Sequence, residues 1–468
     1  ADTNISNITS TVDFAAAAPT VASTKTLTLT AEQAAGESFA NSGTVVISAS
    51  AGAQSTTVTG GVVQATMGAG DDVLILGDAE NVTAADEIDM GGDSDEVRIT
   101  ADDGGTGAVF DDAGAGWETL TVGASSTASE NAKVSLNFSS ADSVARTITA
   151  AAMTDTGAVF TLALGTAANV DGNLTVIGAA GGDTIAGGDG ADSITGGDGA
   201  DSLSGGDGND TFVVTALADL TDGSNAVEDT INGEGGTGDT IAFSGGVTLA
   251  AADDFTNKVS NVESLSANGA QATAISLSTH ATFVSDTSIV VIDLSGDTNA
   301  AGTNVIDISA QTTTTAMTLR GSAGKDLITF DAGSVDTLNV IGDIGSAVTF
   351  AAADVITGFV SGSDKIKLFL GDVDGSGGDD NYVEVANADY DTFSAVLTAG
   401  NAALATLAAA SSASALIAIV SDNVDADTDE VAAGAHCFVD TDGDGAADEV
   451  FILAGINASS IAASDFIA

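Results

Sequence analysis

Nine Lys and Arg stand against 67 Asp and Glu, a formal charge of −58. Phosphate binding needs clustered bases, so nucleic acid is excluded as a partner. An anionic membrane surface is equally unsuited. The only cysteine, Cys437, leaves no internal disulfide and reads as a small buried residue on a strand. One proline beside 57 glycines excludes collagen and Pro-rich linkers. No apolar run of membrane-spanning length is expected, and the stretch 402–420 reads as a helix followed by a strand. The first residues, "ADTNISNITSTVDF", lack a basic then apolar order, so a cleaved export signal is not expected there.

The chain is not a disordered acidic tail, because 44% of it is hydrophobic. Asp outnumbers Glu about four to one and sits beside Gly. General solubility or salt adaptation would spread acids over the surface, whereas calcium binding gathers Asp in turns. Short strands broken every 8–12 residues predict an all-β chain. "KTLTLTAEQAAGESF" predicts a strand and a short helix, and "GTVVISASAG" another strand. "WETLTV" at 117–122, "VESLSA" at 262–267 and "VDTLNV" at 335–340 recur loosely, each an acid beside a Leu-bearing strand. Such recurrence fits stacked coils, and equally a β-sandwich with degenerate strands. Three parts are expected: an N-terminal anchoring or assembly segment at 1–60, a calcium-binding β-solenoid at 61–345, and a C-terminal β domain at 346–468. The last contains the one long helical stretch, "TFSAVLTAGNAALATLAAASSASA".

"GGDGADSITGGDGADSLSGGDGND" repeats every nine residues as Gly-Gly-x-Gly-x-Asp-x-U-x, with U apolar. Complete rows are 187–195, 196–204 and 205–213. A fourth, 178–186, has Ala179 at its second place. Gly188, Gly190, Gly197, Gly199, Gly206 and Gly208 let the backbone turn and bring carbonyls near an ion. Asp183, Asp192, Asp201 and Asp210 offer hard oxygen ligands. Weaker rows put Asp72 and Asp326 at the same place. "GGDSDEVRI" at 91–99 puts Arg98 at the apolar place, and "GEGGTGDTI" at 233–241 fits only in a shifted register.

The rows resemble the calcium-binding repeats-in-toxin (RTX) family. The resemblance implies a parallel β-solenoid or β-roll in which each row is half a coil and Ca²⁺ lies between row n and row n+2. Asp183 then pairs with Asp201 and Asp192 with Asp210, while Ile185 stacks on Leu203 and Ile194 on Phe212. Asp189, Asp198 and Asp207 would face solvent. The ending "FVDTDGDGAADEVFILAGINASSIAASDFIA" is similar to the uncleaved signals of type I secretion. The wider β composition resembles bacterial surface-layer proteins.

A second acidic pattern, "DTDGDGAAD", places Asp440, Asp442, Asp444 and Asp448 as in the start of an EF-hand loop. Phe451 stands where a bidentate Glu is expected, and strands flank it, so a calcium-binding hairpin loop is expected. Asp372 and Asp374, in "DVDGSGGDD", form a looser version.

The chain holds no H-E-x-x-H, nucleophile elbow or phosphate loop. A solenoid polysaccharide lyase would need Arg98, Arg146 or Arg320 as its base. Trp117 reads as core or, alternatively, as a sugar platform. The expectation is a non-enzymatic, extracellular, calcium-dependent structural protein that self-assembles into a surface layer or filament. Its partners would be copies of itself and cell-surface polysaccharide. The alternative is a secreted adhesin or biofilm-matrix protein that binds carbohydrate.

Overall fold

The structure is a computed structural model. It describes residues 3–4 and most of 20–467. The longer stretches outside the description are 5–19, 101–106, 124–130, 340–347, 369–381 and 423–433, with gaps of up to five residues elsewhere.

Alternating Thr and apolar residues form short strands, and Gly-Asp turns end them. Seventeen such strands pair side by side in one parallel ladder. It begins with Thr20–Val21, Ser38–Asn41, Ser55–Thr59 and Val73–Asp78. It runs through Thr119–Gly123, Arg146–Thr149, Leu174–Ile177, Ser193–Thr195 and Thr211–Val214. Its last rungs are Lys365–Lys367 and Phe466–Ile467. Opposite it stand three parallel stacks, from Thr3–Asn4 to Glu87–Asp89, from Ala108–Phe110 to Val259–Ser260, and from Thr248–Leu249 to Asp354–Thr357. The chain is thus a parallel β-solenoid, each coil giving a strand to either face.

Strand burial alternates, so one side chain of each pair points inward. Leu120, Ile148, Val176, Ile194, Phe212 and Ile241 stack directly on one another. Leu265 and Leu338 belong to the same column. The three loosely recurring phrases are therefore equivalent rungs. Coil length varies: a wide coil separates Thr119 from its partner Thr147, whereas a much narrower one, two nonapeptide rows long, separates Thr175 from Ser193.

The expected breaks at 60 and 345 are not breaks in the ladder. Thr26–Thr30 and Thr44–Ser48 already stack as coils, and Asp354–Thr357 and Lys365–Lys367 continue them. The reason is that strands with the same alternation of inward and outward residues stand on both sides of each place. The short helix Ala31–Ala34 starts at Thr30 with a Thr30–Gln33 capping box.

After the coils, Asp354–Thr357 pairs in parallel with Glu449–Ala454, far along the chain. That strand forms an antiparallel hairpin with Gly434–Asp440, which pairs in turn with Leu416–Asp422. The helix Phe393–Ala410 lies on these strands through Phe393, Val396, Leu404 and Leu407. A Cβ on its Gly400 would collide with the Phe438 ring, so glycine sets how closely the helix approaches. Contrary to expectation, this helix is long and apolar enough by composition to cross a membrane.

Candidate metal centre

In most coils the residue just before the main-ladder strand is an acid, and these acids share one column. The carboxylate accepts a hydrogen bond from the backbone N–H one coil earlier. Asp192 Oδ1 accepts from Leu174 N at 2.6 Å, Asp210 Oδ1 from Asp192 N at 2.8 Å, and Asp239 Oδ1 from Asp210 N at 2.7 Å. Glu263 caps Asp239 in the same way at 2.9 Å. On the opposite face Asp183 Oδ1 accepts from Phe160 N, Asp201 Oδ1 from Asp183 N, and Asp229 Oδ1 from Asp201 N, at 2.7, 2.7 and 2.9 Å. The row pairing and the stacking of Ile185 on Leu203 and Ile194 on Phe212 follow the RTX register.

One carboxylate oxygen is thereby used; in three of the four row aspartates the other is not. Oδ2 of Asp192, Asp201 and Asp210 is buried without a partner, while Asp183 Oδ2 accepts from Ala179 N. A buried charge left without a partner is costly. Burial pushes Asp192 and Asp201 up to about 6, Asp183 and Asp210 to about 7, and Asp229 to about 8. Bonds from N–H groups oppose the rise and neighbouring carboxylates add to it. Among the described residues no Lys, Arg or His pairs with the row aspartates.

The space beside each free oxygen is kept by the first glycine of its row. A Cβ on Gly187 would fall inside contact distance of both Asp192 Oδ2 and the Gly205 carbonyl oxygen. On Gly178 it would meet Asp183 Oδ2 and the Gly196 carbonyl. Gly196 and Gly205 stand against the Asp201 and Asp210 carboxylates. A carboxylate oxygen and a carbonyl of the next coil thus converge on a cradle that only glycine leaves open. Oxygen donors of this kind suit a hard cation such as Ca²⁺. The residues therefore fit the ion that the rows imply.

Gly178, Gly187, Gly196 and Gly205 line these cradles and are not among the glycines singled out from the sequence. Their signal was present, because row 178–186 gives up its second glycine but keeps its first. Of the glycines singled out, Gly188, Gly197, Gly199, Gly206 and Gly208 have positive φ and turn the chain; Gly190 does not. Asp198 and Asp207 are exposed and Asp189 is partly so.

The weaker rows extend the columns. Asp72 Oδ1 accepts from Gln54 N and Asp95 Oδ1 from Asp72 N, at 2.6 and 2.7 Å, and both Oδ2 atoms are buried and unpartnered. Row 91–99 sits one residue out of the expected register. Val97 points inward, while Arg98 points out and pairs with Glu96 at 2.7 Å. Asp326 lies on the opposite face, its carboxylate held by Ser322 and beside Gly321. In the shifted row, Asp239 faces Gly233 and the Asn261 carbonyl.

The hairpin loop brings together Asp440, Asp442 and Asp444, with one oxygen from each inside 4.8 Å. Asp440 is buried and accepts from Gly443 N and Gly445 N at 2.6 and 2.7 Å. Asp448 turns away to Thr441 N at 2.7 Å. Phe451, at the place of the missing Glu, is core. Asp372 and Asp374 lie outside the described residues.

Arg146 cannot act as a lyase base. Its fully buried side chain pairs with Asp142 at 2.8 Å, and its guanidinium lies 4.5 Å from the Trp117 ring centre and 5.1 Å from that of Phe138. Trp117 is core, with no exposure for a sugar. Arg320 is tied to Asp293 at 3.2 Å. Burial lowers His436 to about 4 and raises the Cys437 thiol, so neither is reactive near neutral pH.

A parallel solenoid whose narrow coils carry buried carboxylate columns defines a class of metal-stapled β-rolls. Residues 177–212 match the family model of the RTX calcium-binding nonapeptide repeat, with four copies, and repeats of this family bind Ca²⁺. The match covers under a tenth of the chain and indicates no enzymatic family. No curated protein and no solved structure matches the chain.

Proposed function

We propose that the protein is secreted, folds on meeting extracellular calcium, and self-assembles as a structural element of a surface layer or surface filament. The carrying observation is an uncharged face on a chain of charge −58. On seven successive rungs of the main ladder, from Thr119–Gly123 to Ser264–Ala267, the outward places hold only Thr, Ser, Gly, Ile, Val and Ala. Thr119, Thr121, Thr147, Thr149, Ser193 and Thr195 are among them. Charges return only at Glu96 and Arg98 on one side and Asp293 on the other. At about 4.8 Å per rung the stripe is roughly 30 Å long. Elsewhere two copies repel, so this face, or bridging calcium, offers a place for them to meet.

RTX-repeat proteins are typically exported by type I secretion, which supports an extracellular setting. The test is sedimentation and electron microscopy of purified protein with calcium and with chelator. Ordered sheets or filaments that dissolve on chelation, and are lost in Thr149→Asp, support the reading. Monodisperse monomers in millimolar calcium contradict it. The same neutral, hydroxyl-rich face suits a neutral polysaccharide, so binding in a glycan screen without assembly would favour the adhesin reading.

A further inference from the structure

Well beyond the matched rows lies a second group of buried acids. Asp331, Asp336 and Asp364 are all buried, Asp336 and Asp364 completely. No Gly-Gly-x-Gly row precedes them; the local sequence is "DAGSVDT". Asp336 continues the main column, accepting from Met317 N at 2.8 Å, and Asp364 accepts from Asp336 N at 3.2 Å.

Two observations point to a missing positive charge. Ser334 Oγ lies 2.7 Å from Asp331 Oδ2 and 2.7 Å from Asp336 Oδ1. A hydroxyl has one proton, so it donates to only one of them. The other contact sets oxygen against oxygen unless a cation or a second proton joins them. Independently, Asp336 Oδ2 is buried with no partner at all. Among the described residues no base pairs with Asp331, Asp336 or Asp364; Lys365 reaches past them to Asp465 at 3.7 Å.

We infer that Asp331, Ser334 and Asp336 hold a hard divalent cation of the Ca²⁺ class, at a site distinct from the nonapeptide rows. Bound there, the ion accepts lone pairs from both carboxylates and from the hydroxyl oxygen, so the single proton of Ser334 no longer has to serve two acceptors. Asp364 adds negative charge from the next coil. The coil above, 360–367, carries the Phe466–Ile467 rung, so the ion would fasten that rung to the solenoid. The inference does not depend on the assembly reading.

The test counts calcium per chain by elemental analysis, and by native mass spectrometry, on the full chain desalted from calcium buffer. Asp336→Asn and Asp331→Asn should each bind one ion fewer than the parent, with Asp198→Asn as an unchanged control. Hydrogen exchange across 330–337 and 360–367 should then lose its response to calcium. A folded Asp336→Asn that keeps the parental ion count overturns the inference, since a shared proton would then explain the contacts. If both Asn variants fail to fold, Ser334→Ala decides. It keeps both carboxylates, and should raise the calcium midpoint for protecting 330–337 about tenfold; an unchanged midpoint overturns the site.

Discussion

Coils 175–214 and coils 119–175 stand on the same ladder and meet a buried column position in different ways. In the narrow nonapeptide coils the column holds Asp192 and Asp210, each with an oxygen that has no protein partner. One coil below Leu174 the same position is Arg146, level with Glu118 in the coil before it. Its coil is longer, wide enough for Trp117, Phe138 and a buried Asp142. A wide coil can carry its cation on a side chain and pack aromatics around it. A narrow coil of glycine and aspartate has no room for an arginine, and its cation must come from solution.

That contrast can be broken first at Arg146. Arg146→Ala should destabilise the chain by about 3–5 kcal/mol, because it strands a buried Asp142 charge. Adding Asp142→Asn should recover most of the loss. Denaturant melts measure both, and the calcium count should stay unchanged in each.

Gly187→Ala should do the reverse. Its φ tolerates alanine, but the added Cβ meets both Asp192 Oδ2 and the Gly205 carbonyl oxygen, so it crowds the Asp192 cradle and the coil contact beside it. One ion should be lost, and with it about 1.4 kcal/mol at free calcium ten times the dissociation constant. Calorimetric titration counts the ion, and melts should show a larger deficit against the parent in calcium than in chelator, where only the Cβ clash remains.

The regions should also part on pH. Asp183, Asp192, Asp201, Asp210 and Asp229 rise from an ordinary 3.8 to between about 6 and about 8 in the metal-free fold. The folded state then binds these protons more tightly than the unfolded one. Their contribution is full below about pH 4 and is lost as pH rises through 6 to 8. Melting in chelator should therefore improve on acidification from pH 8 to 5. In calcium the slope reverses, because protons displace the ion.

How far the sequence revealed this depends on coil length. Where the period is nine, the RTX resemblance implied register, stacking partners and aspartate pairing, and the strands take that register. Where the coils are longer and unequal the period dissolves, and only phrases such as "WETLTV" remained. Those phrases were rungs, with Glu118, Glu263 and Asp336 in the acid column. The Arg98 register failed because row 91–99 is one residue short before its strand. The parallel docking of Asp354–Thr357 on Glu449–Ala454 has no local signal. Neither has the Ser334 site, whose two acids meet through a hydroxyl and not through a glycine row.

The central claim is that the narrow rows borrow their cation from solution while the wide coil at Arg146 carries its own. Hydrogen exchange on the full chain, in calcium and then in chelator, tests it most directly. The account predicts that chelation speeds exchange in strands Thr184–Gly188, Ser193–Thr195, Ser202–Asp207 and Thr211–Val214 at least tenfold more than in Thr119–Gly123 and Arg146–Thr149. Equal loss of protection in both regions, or no loss in the rows, would contradict it.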